Sequence, residues 1–305
     1  MLWQAPPANL AAEGFPVAVC NSGEGGGELY NRSASVVWGD DQDTGPLGQA
    51  GGWQRPREAI VHMMHNGWGN VQYTVDSINM SSRSMRFERG GYQHGRSGGP
   101  SHFFIENQQE LLDSPGEWYY DAAATKLYLW PNSSTAPPLS GATLTTLIAL
   151  NGTSRVAPVK NVTFSGVGFG RTSPTYMLPH ERPISGDWAI HRGGTVLVTN
   201  AANISFVRCN FSRTGGNALI FSRSVRAATV RSTEFFSVGD SAVVAYGDVD
   251  WETGDARARD YPSELLIEHN LIHEVGVWGK QTSGFFQGVS GNNRILNNVV
   301  FNGPR

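Results

Sequence analysis

Charge and cysteine are both scarce in this chain. Charged residues make up 16% of its 305 residues, with a net charge of −3, where ordinary soluble domains carry about 25%. That balance leaves no basic footprint for nucleic acid. Two cysteines, Cys20 and Cys209, exclude a disulfide-rich scaffold. No apolar run approaches the ~20 residues of a membrane-spanning helix. The opening Met1-Leu-Trp-Gln-Ala-Pro-Pro7 lacks the charged and apolar regions of a secretory signal. Helical spacing of apolar residues is missing throughout, which excludes an α-solenoid.

What the chain has instead is glycine, 37 residues of it, and a repeat. Asn161-Val-Thr-Phe164-Ser-Gly-Val167-Gly-Phe169 is echoed by Asn203-Ile-Ser-Phe206-Val-Arg-Cys209-Asn-Phe211. Weaker copies run through Val230-Arg-Ser-Thr233-Glu-Phe235, Ile267-Glu-His-Asn270-Leu-Ile272 and Ile295-Leu-Asn-Asn298-Val-Val300. Aligned on Val167, Cys209, Thr233, Asn270 and Asn298, the copies are spaced by 42, 24, 37 and 28 residues. The shortest spacing reads as one structural round, and the longer ones as rounds carrying inserted loops. Apolar residues three before and two after each landmark share one face, because side chains alternate along a strand. Stacked rounds would make parallel sheets with ladders of like residues, including an Asn270–Asn298 ladder at a turn. Cys209 falls on an inward position and reads as a buried thiol. No capping unit is visible before Arg305, so a piece of a longer product is expected.

Ahead of the repeat, residues 1–50 show little periodicity. Residues 51–138 read as a small β-rich module of antiparallel strands, and 139–305 as the repeat region. Strands are expected at Ala59–His62 and Val71–Val75. A hairpin is expected where Trp118-Tyr-Tyr120 and Leu127-Tyr-Leu129 flank Asp121 to Lys126. Trp68 and Trp118 are expected in the core, and His62, His65, His94 and His102 as structural histidines.

The repeats, Ile204-x-Phe206-x-x-Cys209-x-Phe211 and Asn270-Leu-Ile-His273 among them, resemble those of right-handed parallel β-helix proteins of the pectin-lyase-like superfamily. The stretches Phe103–Asn107, Glu110–Asp121 and Lys126–Pro131 are similar to a module inserted ahead of the main helix in large carbohydrate-active β-helix proteins, glycoside hydrolases among them. The resemblance implies an all-β protein, a right-handed parallel β-helix behind a small antiparallel module. It implies a polysaccharide or glycan as partner and an extracellular or envelope location. A monomer is expected.

Seven Asn-x-Ser/Thr sequons occur, at Asn31, Asn79, Asn132, Asn151, Asn161, Asn203 and Asn210, against about three expected from composition. The excess fits a glycosylated secretory protein. Asn161 and Asn203 share one repeat position, which favours a turn role for those two.

Candidate chemistry lies where the repeat is interrupted. Glycoside hydrolysis needs two carboxyl groups across the bond, and sugars pack on aromatic rings. The loop from Tyr246 to Tyr261 supplies Asp248, Asp250, Tyr246 and Trp251. Asp240 lies just after a turn and can face a groove or cap turn amides. His273 is a candidate acid or base, and Asn-x-x-His turn chemistry is its plain alternative. Trp278 and Lys280 are candidate sugar contacts, and a lyase would use Lys280 as its base. No cofactor is expected for a hydrolase; a lyase would add calcium, with Asp248, Asp250 and Asp255 as candidate ligands. The leading expectation is a glycoside hydrolase, and the alternatives are a polysaccharide lyase or a non-catalytic glycan-binding or structural protein.

Overall fold

The computed structural model describes residues 17–21, 35–38, 46–65, 69–90, 99–133, 139–181, 189–248 and 257–304. Among them the protein is all-β, with a single four-residue α-helical turn at Pro46–Gln49. No helix is long and apolar enough to cross a membrane. The chain divides into two compact units, Met1–Gly141 and Ala142–Arg305.

The first unit holds a closed antiparallel barrel in the order β1 (Val17–Asn21), β2 (Ser35–Val37), β5 (Ser84–Gly90), β4 (Gly69–Asn79), β3 (Ile60–His65) and β6 (Gly99–Glu106). Its core gathers Val61, Met63, Tyr73, Val75, Met85, Phe87 and Phe103. β1 and β2 fall in the stretch whose sequence shows little periodicity; short strands separated by long connections leave no alternation to read. His62 is buried, with Nε2 3.1 Å from Glu106. The hairpin follows as β7 (Trp118–Asp121) paired with β8 (Lys126–Leu129). Trp118 corrects its expected place in the core: its side of β7 faces solvent, and it is 47% exposed.

In the second unit every named strand pairs in parallel. Three rows form, and the chain visits them in turn. Row one is β9 (Ile148–Asn151), the first half of β12 (Val196–Val207), β14 (Leu219–Arg226), β17 (Val243–Tyr246) and β20 (Phe285–Gly288). Row two is β10 (Val159–Ser165), the second half of β12, β15 (Thr229–Arg231), β18 (Leu266–Glu268) and β21 (Arg294–Leu296). Row three is β11 (Gly168–Gly170), β13 (Asn210–Thr214), β16 (Glu234–Val238), β19 (Leu271–Val275) and β22 (Val299–Phe301).

The register reproduces the sequence alignment residue for residue. Phe164, Phe206, Val230, Ile267 and Ile295 stand in one ladder. Phe169, Phe211, Phe235, Ile272 and Val300 stand in another. Phe169, Phe211 and Phe235 stack with centroids 4.8 and 4.9 Å apart. Cys209 is a buried free thiol. The asparagine ladder is present: Asn270 Nδ2 donates to Asn298 Oδ1 at 2.9 Å and to the Val230 carbonyl at 3.0 Å, while its own Oδ1 accepts the Thr233 N–H at 2.9 Å.

Sequence alone did not reveal how the chain turns. Six before, one before and four after each landmark, the backbone is left-handed in all five copies. The residues are Asn161, Asn203, Ala227, Glu264 and Asn292; Gly166, Arg208, Ser232, His269 and Asn297; then Arg171, Arg213, Ser237, Glu274 and Asn302. A left-handed residue other than Gly or Asn costs roughly 1 kcal/mol, so these bends are held by the pairing on either side. Two of the sequons belong to this system: Asn203 Nδ2 donates to Asn161 Oδ1 at 2.8 Å. Ala227 is the next member of the same position, exposed and without a side chain to join the ladder. Replacing Ala227 with Asn is expected to raise Tm by about 2 °C, corresponding to roughly 0.5–1 kcal/mol, by differential scanning calorimetry. A fall in Tm would mean that the bend at this position is not left-handed.

Candidate functional site

The outer side of row one carries a polar cluster at the end of its strands. Two long insertions meet there. In the first, Glu181 and Ile190 exchange both backbone hydrogen bonds at 2.8 Å, which sets Glu181 and Arg192 side by side. In the second, the Asp248 N–H donates to the Asp260 carbonyl at 2.7 Å, which fixes Asp248 directly beyond β17.

Arg192 organises the cluster. Its Nε donates to Glu181 Oε1 and Oε2 at 3.1 and 3.0 Å, and its Nη2 to Glu181 Oε2 at 2.9 Å. The same Nη2 reaches Asp248 Oδ1 at 2.9 Å. Nη1 donates to Ser222 Oγ at 2.9 Å. The guanidinium lies 4.0 Å above the Tyr246 ring. Arg223 Nε holds the other oxygen of Asp248 at 3.2 Å. Burial opposes the charge on Arg192, but Glu181 and then Asp248 outweigh it and hold its pKa above the ordinary value. Glu181 and Asp248 thus touch one nitrogen, each at 2.9 Å, so these two oxygens are at most twice that distance apart.

Beneath the cluster, Tyr246 belongs to an apolar group with Ile190, Ile220, Val244 and Phe286. Burial pushes its hydroxyl up to about 12. Its place differs from that of a sugar platform, because the guanidinium covers its ring. Beside Arg192, His180 Nδ1 lies 2.8 Å from the Leu178 carbonyl and His191 Nδ1 2.8 Å from the Pro179 carbonyl. Burial drives His180 down to about 4 and lowers His191 as well, so both imidazoles are neutral at pH 7.

The other candidates lie elsewhere in the same unit. Asp240 sits at the opposite end of β17 from Asp248; the strand between them alone spans ~10 Å at a rise of ~3.3 Å per residue. It is buried, accepts from Thr175 Oγ1 at 3.2 Å and takes the Gly279 N–H. Burial raises its pKa to about 6. Gly279 allows this close approach, since a Cβ at that position would lie 2.3 Å from Asp240 Oδ1. Trp278 and Lys280 lie in the same loop. Trp278 is buried against Tyr176, centroids 5.2 Å apart. Lys280 Nζ donates inward to the Gly276 and Val277 carbonyls at 2.8 and 3.1 Å, and burial lowers it to about 8. Asp240 here is a turn cap. Neither Trp278 nor Lys280 is placed as a sugar contact, because packing turns both inward.

His273 stands on row three, stacked between Phe236 and Phe301 at 5.6 and 5.0 Å. Partial burial opposes its charge, but hydrogen bonds to Glu274 and Glu234 hold it above the ordinary histidine value. The structure therefore brings together Asp248 and Tyr246 in one place and Asp240, Trp278 and Lys280 in another, with His273 apart. Asp250, Asp255, Trp251 and Asn31 lie outside the described residues. Among the described residues no group of three or more His, Cys, Asp or Glu could hold a metal. Glu181, Arg192 and Arg223 went unrecognised in the sequence. Glu181 and Arg192 lie in a non-repeating insertion, and Arg223 reads there as an ordinary strand residue.

Comparison with known proteins adds three findings. Residues 93–132 match the GH141 insertion domain, the stretch that ends in the β7–β8 hairpin. No curated protein matches the chain. A solved structure titled "Glycoside hydrolase" shares the fold, with a TM-score of 0.66 at 18% identity. The similarity covers 90% of this chain, which spans 56% of that structure.

Asp240 gives this region a pH signature. Its folded-state pKa is raised above the unfolded value of 3.8 to about 6, so the native state binds the proton more tightly and loses stability as pH rises through that window. Asp240→Asn keeps an acceptor for Gly279 and turns its NH2 to Thr175, whose hydroxyl rotates from donor to acceptor. The variant is expected to match the parent near pH 4 and exceed it above pH 6 by the order of 2 kcal/mol, read as Tm against pH. A constant difference between the two curves would refute the raised carboxyl.

Proposed function

We propose that this protein is an extracellular, glycan-active right-handed parallel β-helix, and that it is a glycoside hydrolase. Five visits to three parallel rows, the fold likeness and the GH141 insertion-domain match support the architecture and the substrate class. The observation that carries the hydrolase reading is the Glu181–Asp248 pair bridged by Arg192.

In this reading the pair works across a glycosidic bond on the outer side of row one. Its nearest oxygens lie inside the ~6.5 Å lower limit of inverting pairs, which fits the closer spacing of retaining enzymes. Asp248, with a guanidinium on each oxygen, serves as nucleophile. Glu181 depends on a single guanidinium. A sugar that draws Arg192 off Glu181 leaves that carboxyl group free to meet the leaving oxygen. Glu181 gives its proton to the leaving oxygen as the carbon–oxygen bond breaks and Asp248 bonds to the sugar carbon; Glu181 then takes a proton from the water that displaces Asp248 from that carbon. A lyase has less support, since Lys280 is turned into the protein. A non-catalytic glycan binder is the second reading, because Arg192 spends its donors on the protein itself.

Incubation with plant and algal polysaccharides separates these readings. New reducing ends are expected, without the absorbance of unsaturated uronates. Asp248→Asn and Glu181→Gln should each lower the rate by about 10²–10⁴-fold with Tm nearly unchanged. Release of reducing ends by both variants at the parental rate would overturn the assignment, and no release by the intact protein would favour the binder.

An extracellular location makes the sequons informative. Asn79 and Asn132 are exposed, whereas the amides of Asn203 and Asn210 donate to Asn161 and Glu234. After production in a eukaryotic secretory host, peptide mapping is expected to find glycan at Asn79 and Asn132 and bare Asn203 and Asn210. Full occupancy of Asn203 would contradict the ladder.

A further inference from the structure

The β7–β8 hairpin wears its faces the wrong way round. One face is tied down by polar contacts. Tyr119 donates its hydroxyl to Glu58 Oε2 at 3.0 Å, and Arg55 Nη1 donates to Asp121 Oδ1, which also accepts the Ala124 N–H at 2.8 Å. Tyr119 and Asp121 are buried. The other face holds the large apolar groups. Trp118 stands opposite Leu129 and Tyr120 opposite Leu127, with Trp118, Tyr120 and Leu127 exposed by 47%, 43% and 47%. Exposed aromatics on a rigid, anchored strand pair mark a contact surface rather than a defect of the core.

We propose that this outer face is a glycan-binding platform, occupied by a polysaccharide chain and built from residues other than Glu181 and Asp248. The sugar class rests on the proposed function; the platform itself rests on the hairpin. Trp118 and Tyr120 project to the same side, about 6.6 Å apart along the strand, and offer planar surfaces to the C–H faces of sugar rings. The polar anchoring of the opposite face fixes them before a ligand arrives, which lowers the ordering cost of binding. The size argues against a protein partner. At about 150–250 Å² per aromatic side chain, just under half exposed, the face presents on the order of 300 Å². A stable protein interface needs about 800 Å² from each side, whereas one or two sugar rings need far less. The hairpin also lies within the stretch that matches the GH141 insertion domain.

The test uses the whole chain in four forms: unchanged, W118A/Y120A, W118F/Y120F and D248N. Retention on insoluble cellulose, xylan, chitin and cross-linked pectate is measured, beside hydrolysis of short soluble oligosaccharides and mass by light scattering. The unchanged protein and D248N are expected to bind at least one polysaccharide. W118A/Y120A should lose at least tenfold in that affinity, and W118F/Y120F should keep most of it. Equal retention of the unchanged protein and W118A/Y120A would overturn the platform. So would retention of none, or a dimer that W118A/Y120A dissociates. Retention that depends on the two rings, in a protein that releases no reducing ends, would uphold the platform while removing the hydrolase reading.

Discussion

The left-handed bends, repeated at three fixed offsets in every copy, are the constraint on which the second unit depends. They turn a β-strand without a loop, so successive short strands pack side by side while their apolar faces stay directed to one core. Parallel pairing then locks each bend to the one beside it. The arrangement tolerates Ala227, Glu264 and Arg213 at positions that intrinsically prefer Gly or Asn because neighbouring rounds over-determine the backbone. Ladders of Phe, Asn and inward aliphatic residues follow from that geometry, since like positions are forced to stack.

Function has room only where this regularity is suspended. A strictly repeating round exposes the same few positions each time and cannot bring two distant carboxylates together. The insertions that carry Glu181 and Asp248 do so, and Arg192 holds them with a set of donors matched to planar carboxylates. The same logic explains why Asp240 and His273 are separated from Asp248. Both sit at repeating positions and are used locally, one to receive the turn's Gly279 amide and the other to continue an aromatic ladder.

Much of this fold was legible in the sequence. The five landmarks and the −3 and +2 ladders emerge from apolar residues and glycines at matched offsets, and the register follows them. The Asn270–Asn298 ladder was legible for the same reason. The left-handed positions were not, because Asn, Arg, Ser, Glu and Ala occupy them in turn and tertiary pairing overrides local preference. The candidate site was half legible. Asp248 announced itself by standing next to a coil in an acidic, aromatic loop, whereas Glu181 and Arg192 belong to an insertion whose carboxylate partner, Asp248, lies more than 50 residues away along the chain. Trp118 was misread because a hydrophobic side chain suggests burial, and only the anchoring of the opposite hairpin face shows why it is outside.

The central claim is that sugar binds on the outer side of row one, across Glu181 and Asp248. A crystal structure of the D248N variant soaked with oligosaccharides from its best substrate tests it most directly. The account predicts a sugar ring between the two side chains, with Arg192 drawn off Glu181. Sugar density on row three beside His273, with the Arg192 bridge intact, would contradict it.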